Sequence, residues 1–233
     1  PKALRSAITK KTKAVIINTP SNPTGSVYSR DELNGVLKEV EGRQIYVVSD
    51  EIYERLIYDG LEHISFPALH KKAKDITILV NGVSKTYSMT GWRIGYLASC
   101  NRDLISAINN LQDHSTSNPS SISQEAALAA LSREDDSVEK MKKEFSARRD
   151  YMFERVKNIK DFKCVKPQGA FYCFIDVSKV NKDSLEFAKK LLADKMVAVI
   201  PGDGFGAPGH IRLSFATNME NIKKGLDRIE EWV

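Results

Sequence analysis

The sequence predicts an α/β fold, a mostly parallel sheet with flanking helices, followed by a smaller α+β C-terminal domain. Three observations carry this. Short apolar runs alternate with helical patterns over residues 1–133. A long, highly charged helical pattern follows over residues 134–160. The order then changes, over residues 161–233, to strands, a helix, more strands and a final helix.

Residues 14–19 (AVIINT) are an apolar run ending in turn residues, which reads as a buried strand. Residues 20–25 (PSNPTG) form a loop rich in helix and strand breakers. Ser29 and Glu32 have capping-box spacing and open a helix that runs to about Gly42. Residues 44–49 (QIYVVS), 76–81 (ITILVN) and 93–99 (RIGYLAS) read as further strands, and 101–114 and 120–131 as helices. Within 134–160, Val138, Met141, Phe145, Met152 and Val156 fall on or near one face of an otherwise polar helix, the pattern of a helix that bridges two domains. Beyond it, strands are expected at 162–167, 170–177, 197–200 and 211–215, and helices start at Asp183 and Asn218, both good N-cap types.

With 42% apolar and 28% charged residues, the 233-residue chain has ordinary globular composition and ample material for a core. The net charge of +5 comes from 35 basic and 30 acidic residues. They interleave, as in Lys38, Glu39, Glu41 and Arg43, which reads as a solvated face and not a nucleic-acid footprint. A mild positive excess also suits an anionic cofactor or substrate. Cys100, Cys164 and Cys173 show no CxxC or Cys/His ligand spacing and read as reduced, mostly buried thiols of a cytoplasmic protein. No apolar run approaches a membrane span, and no signal-peptide pattern is seen. The chain starts at Pro1, not Met, and reads as cut from something longer. His63, His70, His114 and His210 lack ligand spacing, so no metal site is expected. Gly204, Gly206 and Gly209 match the dinucleotide pattern G-x-G-x-x-G, but a strand follows them and Pro208 blocks helix entry.

Four segments carry chemistry. Ser84, Lys85, Gly91, Arg93 and Gly95 lie at fixed spacing just after a buried strand. A lysine there can be desolvated, which frees its amine to attack a carbonyl. Arg93 and the Ser84 hydroxyl can hold a phosphate. Taken singly, these are a solvated lysine and a surface arginine; the joint spacing favours a site. Asp50 stands at the carboxyl end of a strand, where open α/β sheets bind ligands, and can keep a pyridine nitrogen cationic. Tyr53 can donate to a phenolic oxygen; the rival reading is an N-cap Asp and a core Tyr. Asn22, in NPTG, can present its amide to a ring oxygen, although turn chemistry alone explains the segment. Arg212 lies within HIRLSF, flanked by apolar residues, where a planar guanidinium matches a carboxylate; a structural pair with an internal acid is the alternative. Ser84 has no sequence-evident His/Asp partner at a nucleophile elbow, so no hydrolase is expected.

Read together, NPTGSVY, VVSDEIYERLIY, VNGVSKTYSMTGWRIGY, STSNPSSISQ, PQGAFY, VAVIPGDGFGAPG and IRLSFAT give a chain that resembles the class I aminotransferases of pyridoxal-phosphate (PLP) fold type I. The likeness runs from the first residues to the last and is strongest to the bacterial-type aspartate aminotransferase branch. It implies a partial PLP-binding large domain over 1–133, an interdomain helix over 134–160 and a small domain over 161–233. It also implies ping-pong transfer of an amino group between an aspartate- or glutamate-like amino acid and a 2-oxo acid, with pyridoxal 5′-phosphate as cofactor. On this resemblance, Lys85 carries the cofactor as a Schiff base and shuttles a proton, and Asp50 pairs with the ring nitrogen. Tyr53 and Asn22 bond the phenolic oxygen, Ser84 and Arg93 bind the phosphate, and Arg212 with Asn22 binds the substrate carboxylate. Asn118 and Ser120 lie in a region that the family places near the subunit interface. A homodimer is implied for the complete enzyme, with no nucleic-acid or membrane partner. The family's N-terminal part, with its phosphate-binding glycine turn, its ring stacked on the cofactor and much of the dimer interface, lies outside this sequence. Two rivals stand beside this reading: a PLP-dependent β-lyase or other fold type I enzyme on the same scaffold, and an aminotransferase-like domain of a transcription regulator.

Overall fold

The computed structural model describes residues 1–133 and 135–233, so Glu134, where the long helical pattern begins, lies outside the described residues. The chain forms two compact units. The first comprises Pro1–Pro20, Val27–Ile57 and Leu61–Val138, and the second Ser21–Ser26, Tyr58–Gly60 and Glu139–Val233. Two short segments from early in the chain thus belong to the second unit.

In the first unit, α1 (Lys2–Ala7), β1 (Ala14–Asn18), α2 (Arg30–Val40), β2 (Tyr46–Asp50), α3 (Lys71–Ile76), β3 (Thr77–Gly82), β4 (Gly95–Ala98), α4 (Arg102–Ser115) and α5 (Ser121–Ser132) follow in order. The sheet order is β1-β2-β3-β4; the first three strands are parallel and β4 joins β3 antiparallel. The expected mostly parallel sheet is therefore what forms. Ser29 and Glu32 make the capping box: Ser29 Oγ accepts from the Glu32 N–H at 3.3 Å, and Glu32 Oε2 accepts from the Ser29 N–H at 2.8 Å. Leu33, Val36, Leu37 and Val40 then recur at helical spacing and share one core with Ile17, Ile45, Val47, Phe66 and Ala73. Full burial of one such side chain is worth roughly 1.5–3 kcal/mol, so this face holds α2 on the sheet more firmly than helix propensity could.

In the second unit, α6 (Ser137–Asn158, from Glu139 onward), β5 (Lys163–Cys164), β6 (Tyr172–Asp176), α7 (Ser184–Lys195), β7 (Ile200–Pro201), β8 (His210–Ser214) and α8 (Met219–Trp232) follow. The strands form an antiparallel sheet of order β5-β6-β8-β7. Asp183 and Asn218 cap their helices as expected, accepting from the N–H groups of Glu186 and Asn221 at 2.8 Å each. Phe145, Met152 and Val156 are buried on α6, with Ile175, Phe187, Leu191, Ile211, Phe215, Leu226 and Ile229 completing the core.

The structure departs from the sequence reading in several places. The short helices α1 and α3 were not anticipated, because six residues each are too few to display a hydrophobic period. The strands expected over 162–167 and 197–200 shrink to Lys163–Cys164 and Ile200–Pro201, the residues that pair with β6 and β8 respectively. The strand expected from Arg93 begins at Gly95, because Arg93 takes the left-handed conformation (φ 51°, ψ 49°) and interrupts the extended chain. Of the cysteines, Cys173 is buried, Cys164 half-buried and Cys100 exposed, which corrects the expectation of mostly buried thiols. Among the described residues, no helix is long and apolar enough to cross a membrane.

Ser29→Ala removes one half of the capping box and is expected to cost about 1 kcal/mol. Equilibrium urea denaturation should show a lower midpoint with an unchanged slope, and Ser29→Asp should recover most of the loss.

Candidate functional site

The first unit gathers its chemistry at the carboxyl ends of the parallel strands. Asn18 pairs in register with Asp50, and Asp50 with Val80, so the chain leaves all three strands at one edge. The Asp50 carbonyl is pinned there by the Thr19 N–H (3.1 Å) and by Asn18 Nδ2 (3.2 Å). The Asp50 side chain is half-buried, and Oδ1 accepts from the Ile52 N–H at 3.2 Å. Burial pushes the carboxyl above the usual aspartate range; the charge of Glu51 adds to the rise, while the Ile52 N–H and the positive charge of Lys85 partly offset it.

Lys85 follows β3 in a tight turn, with Ser88 N donating to the Lys85 carbonyl at 3.2 Å. Its Nζ lies 5.9 Å from the ring centre of Tyr53, which is buried on the turn just after β2. Asp50, Tyr53 and Lys85 are thereby brought together, an acid, a phenol and an amine. Ser84, beside Lys85, is half-buried. Arg93 is exposed, and its Nη1 donates to the Thr90 carbonyl at 2.9 Å. Gly82 explains the close approach of the two segments: a Cβ there would stand 2.9 Å from Gly95 Cα and 3.1 Å from the Ile94 oxygen.

Glu51 was missed by the sequence reading. It is buried, and Oε1 accepts from Ser49 Oγ (2.8 Å), Ser65 Oγ (3.1 Å) and the Phe66 N–H (3.0 Å), while Oε2 lies 2.7 Å from His63 Nε2. Burial pushes this carboxyl up, but the hydrogen bonds, led by His63 and Ser49, outweigh it and hold Glu51 below the usual range. Glu51, Glu54 and His63 bring ligand-type atoms within 4.8 Å of one another. The partners of Glu51 account for its burial as a clamp between the end of β2 and the segment that carries His63, Ser65 and Phe66.

In the second unit, Arg212 on β8 donates from Nη1 to Asn22 Oδ1 at 2.6 Å. Its guanidinium carbon lies 4.3 Å from the ring centre of Tyr172 and 5.1 Å from that of Phe205. Arg212 Nε is buried with no hydrogen-bond partner. Among the described residues, the partner of Arg212 is thus an amide oxygen and not an internal acid. Asn22 is held by the turn Ser21–Ser26, closed by Gly25 N to the Ser21 carbonyl (2.8 Å) and Ser21 N to the Ser26 carbonyl (2.9 Å). The Gly25 carbonyl accepts from the N–H groups of both Gln168 (2.9 Å) and Gly169 (2.8 Å). Gly25 has φ +68°, and a Cβ there would meet Pro167 Cβ at 2.6 Å. NPTG and PQGAFY, distant in sequence, are therefore packing partners. The roles of Tyr172 and Phe205 beside Arg212 had no local signal, although both lie in stretches quoted for the resemblance.

The profile of the family described as "Aminotransferase class I and II" matches residues 1–229. The chain belongs to this family. The aspartate aminotransferase of Bacillus sp. (strain YM-2) is 51% identical over 235 residues, covering 99% of this chain and 60% of the relative. That of Bacillus subtilis (strain 168) is 44% identical over 238 residues, covering 100% of this chain and 60% of the relative. The solved structure of Thermus thermophilus aspartate aminotransferase with maleate superimposes with a TM-score of 0.92 at 40% identity, over 100% of this chain and 60% of that one. The fold is that of the PLP fold type I aminotransferases, and this chain spans about 60% of the length of these relatives.

In this aminotransferase chain, the raised Asp50 carboxyl makes a stability prediction. A folded value above the ordinary one means that the neutral acid favours the fold; this contribution is complete in acid, below the ordinary aspartate value, and is lost as pH rises through the folded value. Asp50→Asn, with no ligand bound, should therefore melt at a higher temperature than the parent at neutral pH, and the gain should vanish in acid. A pH series of thermal denaturation checks this, and a variant less stable than the parent at neutral pH would overturn it.

Proposed function

We propose that the complete protein is a PLP-dependent aminotransferase that moves an amino group between a dicarboxylic amino acid and a 2-oxo acid. The observation that carries this reading is the half-buried carboxylate of Asp50, raised by burial and lying within electrostatic reach of the Lys85 amine. A cationic ring nitrogen would relieve this desolvated acid, so the residues present fit the cofactor. When bound, pyridoxal 5′-phosphate supplies an aldehyde for condensation with amines and a ring that withdraws electrons from the substrate α-carbon.

On this reading, each residue has one task. Asp50 keeps the ring nitrogen protonated. Lys85 supplies the amine that holds the cofactor and, once released, moves the proton at the substrate α-carbon. Tyr53 and Asn22 donate to the phenolic oxygen, and Ser84 and Arg93 bind the phosphate. Arg212 binds the α-carboxylate, for which its buried Nε, without a hydrogen-bond partner among the described residues, is a spare donor, and two aromatic rings flank the guanidinium at 4.3 and 5.1 Å. A dicarboxylic substrate is supported by the aspartate aminotransferases among the relatives and by maleate, a dicarboxylate, in the Thermus thermophilus structure. The same names favour amino-group transfer over β-elimination. With the reading go a cytoplasmic location and a homodimeric complete enzyme, as the resemblance implies.

In the full-length protein supplied with PLP, Lys85→Ala is expected to reduce amino-group transfer from aspartate by at least about 10²–10⁴-fold and to abolish the visible absorption band that depends on this lysine. Persistence of the band in the variant would sink the assignment. Assay of the parent for pyruvate release from sulfur amino acids separates the alternatives: release faster than amino-group transfer would make it a β-lyase.

A further inference from the structure

We infer that Arg149, buried on α6, is a positioning residue for the Arg212–Asn22 pair; the inference rests on the reading of that pair as the site of the substrate α-carboxylate. Arg149 is fully buried. Its Nη1 and Nη2 grip the two oxygens of Asp59 at 3.0 and 2.7 Å. Nε and Nη2 donate to Asp150 Oδ1 at 3.0 and 2.7 Å, and Nη1 donates to the Pro167 carbonyl at 3.2 Å. A guanidinium has five N–H donors, and these bonds use them all. Arg149 therefore has nothing left for a ligand, and what it can do is hold protein.

What it holds is the segment from Pro167 to Ala170. The Pro167 carbonyl goes to Arg149 itself. The Gln168 and Ala170 carbonyls accept from the backbone N–H (3.0 Å) and the hydroxyl (2.5 Å) of Tyr58, whose ring lies 4.6 Å from the Arg149 guanidinium carbon. Three carbonyls of the segment are thus committed to the Tyr58–Arg149 cluster. Its N–H groups at Gln168 and Gly169 are committed to the single carbonyl of Gly25, in the turn that carries Asn22. Directly beyond Ala170 the chain enters β6, which begins at Tyr172, the ring stacked over Arg212. A shift of this segment moves two of the three neighbours of Arg212 together, its hydrogen-bond partner Asn22 and the ring of Tyr172.

The test uses the full-length protein with its cofactor and reads the dissociation constant of maleate by titration calorimetry, well below the melting temperature. Arg149→Lys keeps the charge but loses the fork of donors. Asp59→Asn leaves Arg149 its bonds to Asp150 and Pro167. Each is expected to weaken maleate about tenfold, equivalent to about 1.4 kcal/mol, with KM for the amino acid rising in parallel and kcat changing much less. Gly25→Ala perturbs the same path from its far end, so its loss and that of Asp59→Asn should combine to less than their sum. A lowered Tm with maleate affinity equal to that of the parent would reduce Arg149 to a purely structural role and overturn the inference. Should Arg149→Lys fail to fold, Asp59→Asn decides alone. Arg212→Lys serves as the control: unchanged maleate affinity there removes the carboxylate reading and this inference with it, whereas a large loss there beside unchanged Arg149 and Asp59 variants removes only the inference.

Discussion

Parallel pairing of β1, β2 and β3 forces three chain exits onto one edge of a sheet, and the chemistry of the first unit depends on that register. Side chains alternate along a strand, so a slip of β2 by one residue would turn Asp50 to the opposite face and bring Ser49 or Glu51 into its place. The register is held by the apolar side chains of the same strands, where Val47 shares one core with Ile17 and with the apolar stripe of α2. The site is in this sense a consequence of the core. The capping box that starts α2 sets where its stripe begins, the stripe sets the strands, and the strands set where an acid and an amine emerge.

Asp50 and Glu51 show how little residue type decides. They are adjacent and carry the same charge, yet burial raises one carboxyl while hydrogen bonds lower the other. Glu51 has Ser49, Ser65, the Phe66 N–H and His63 as partners and is satisfied inside the protein. Asp50 has one backbone N–H on its side chain and the more distant charge of Lys85. A buried acid with its bonds complete is finished as a structural element; on the proposed reading, one with its bonds incomplete takes the cofactor's ring nitrogen as its partner. The negative charge of Glu51 also makes the ionised form of Asp50 harder to sustain, so the satisfied acid sharpens the need of its neighbour for a cation.

Where a feature was written locally, the sequence could be read. The capping box at Ser29, with the helix it opens, and the N-caps at Asp183 and Asn218 each need only a few neighbouring residues, and each appears in the structure. The mostly parallel sheet followed from the alternation of elements. Features made by distant partners could not be read. Nothing near Asn22 indicates Arg212, nothing near Gly25 indicates Gln168 and Gly169, and nothing near Glu51 indicates Ser65 and His63. The left-handed Arg93 was invisible for another reason: residues other than Gly, Asn and Asp rarely adopt that conformation, so an arginine does not announce it. Asn22, Asp50, Tyr53, Lys85 and Arg212 could be named as candidates because their types and spacing resemble a family. Their surroundings came only from the fold.

Arg149 marks the limit of pattern reading. On α6 it lies among the buried positions that include Phe145, Met152 and Val156, where periodicity asks for an apolar residue. A leucine would fill the volume without the desolvation cost of a guanidinium, and buried ion pairs are often no more stabilising than apolar replacements. Leucine, however, would leave the Pro167 carbonyl and the Asp59 carboxylate without their buried donor. It could not tell the segment which way to face, since apolar contact has no direction. A guanidinium fixes five directions at once. A loop whose carbonyls must point one way and whose N–H groups must point the other, towards Gly25, needs that directional information, and this is a physical reason for a permanent charge to stand buried beside the apolar positions of α6.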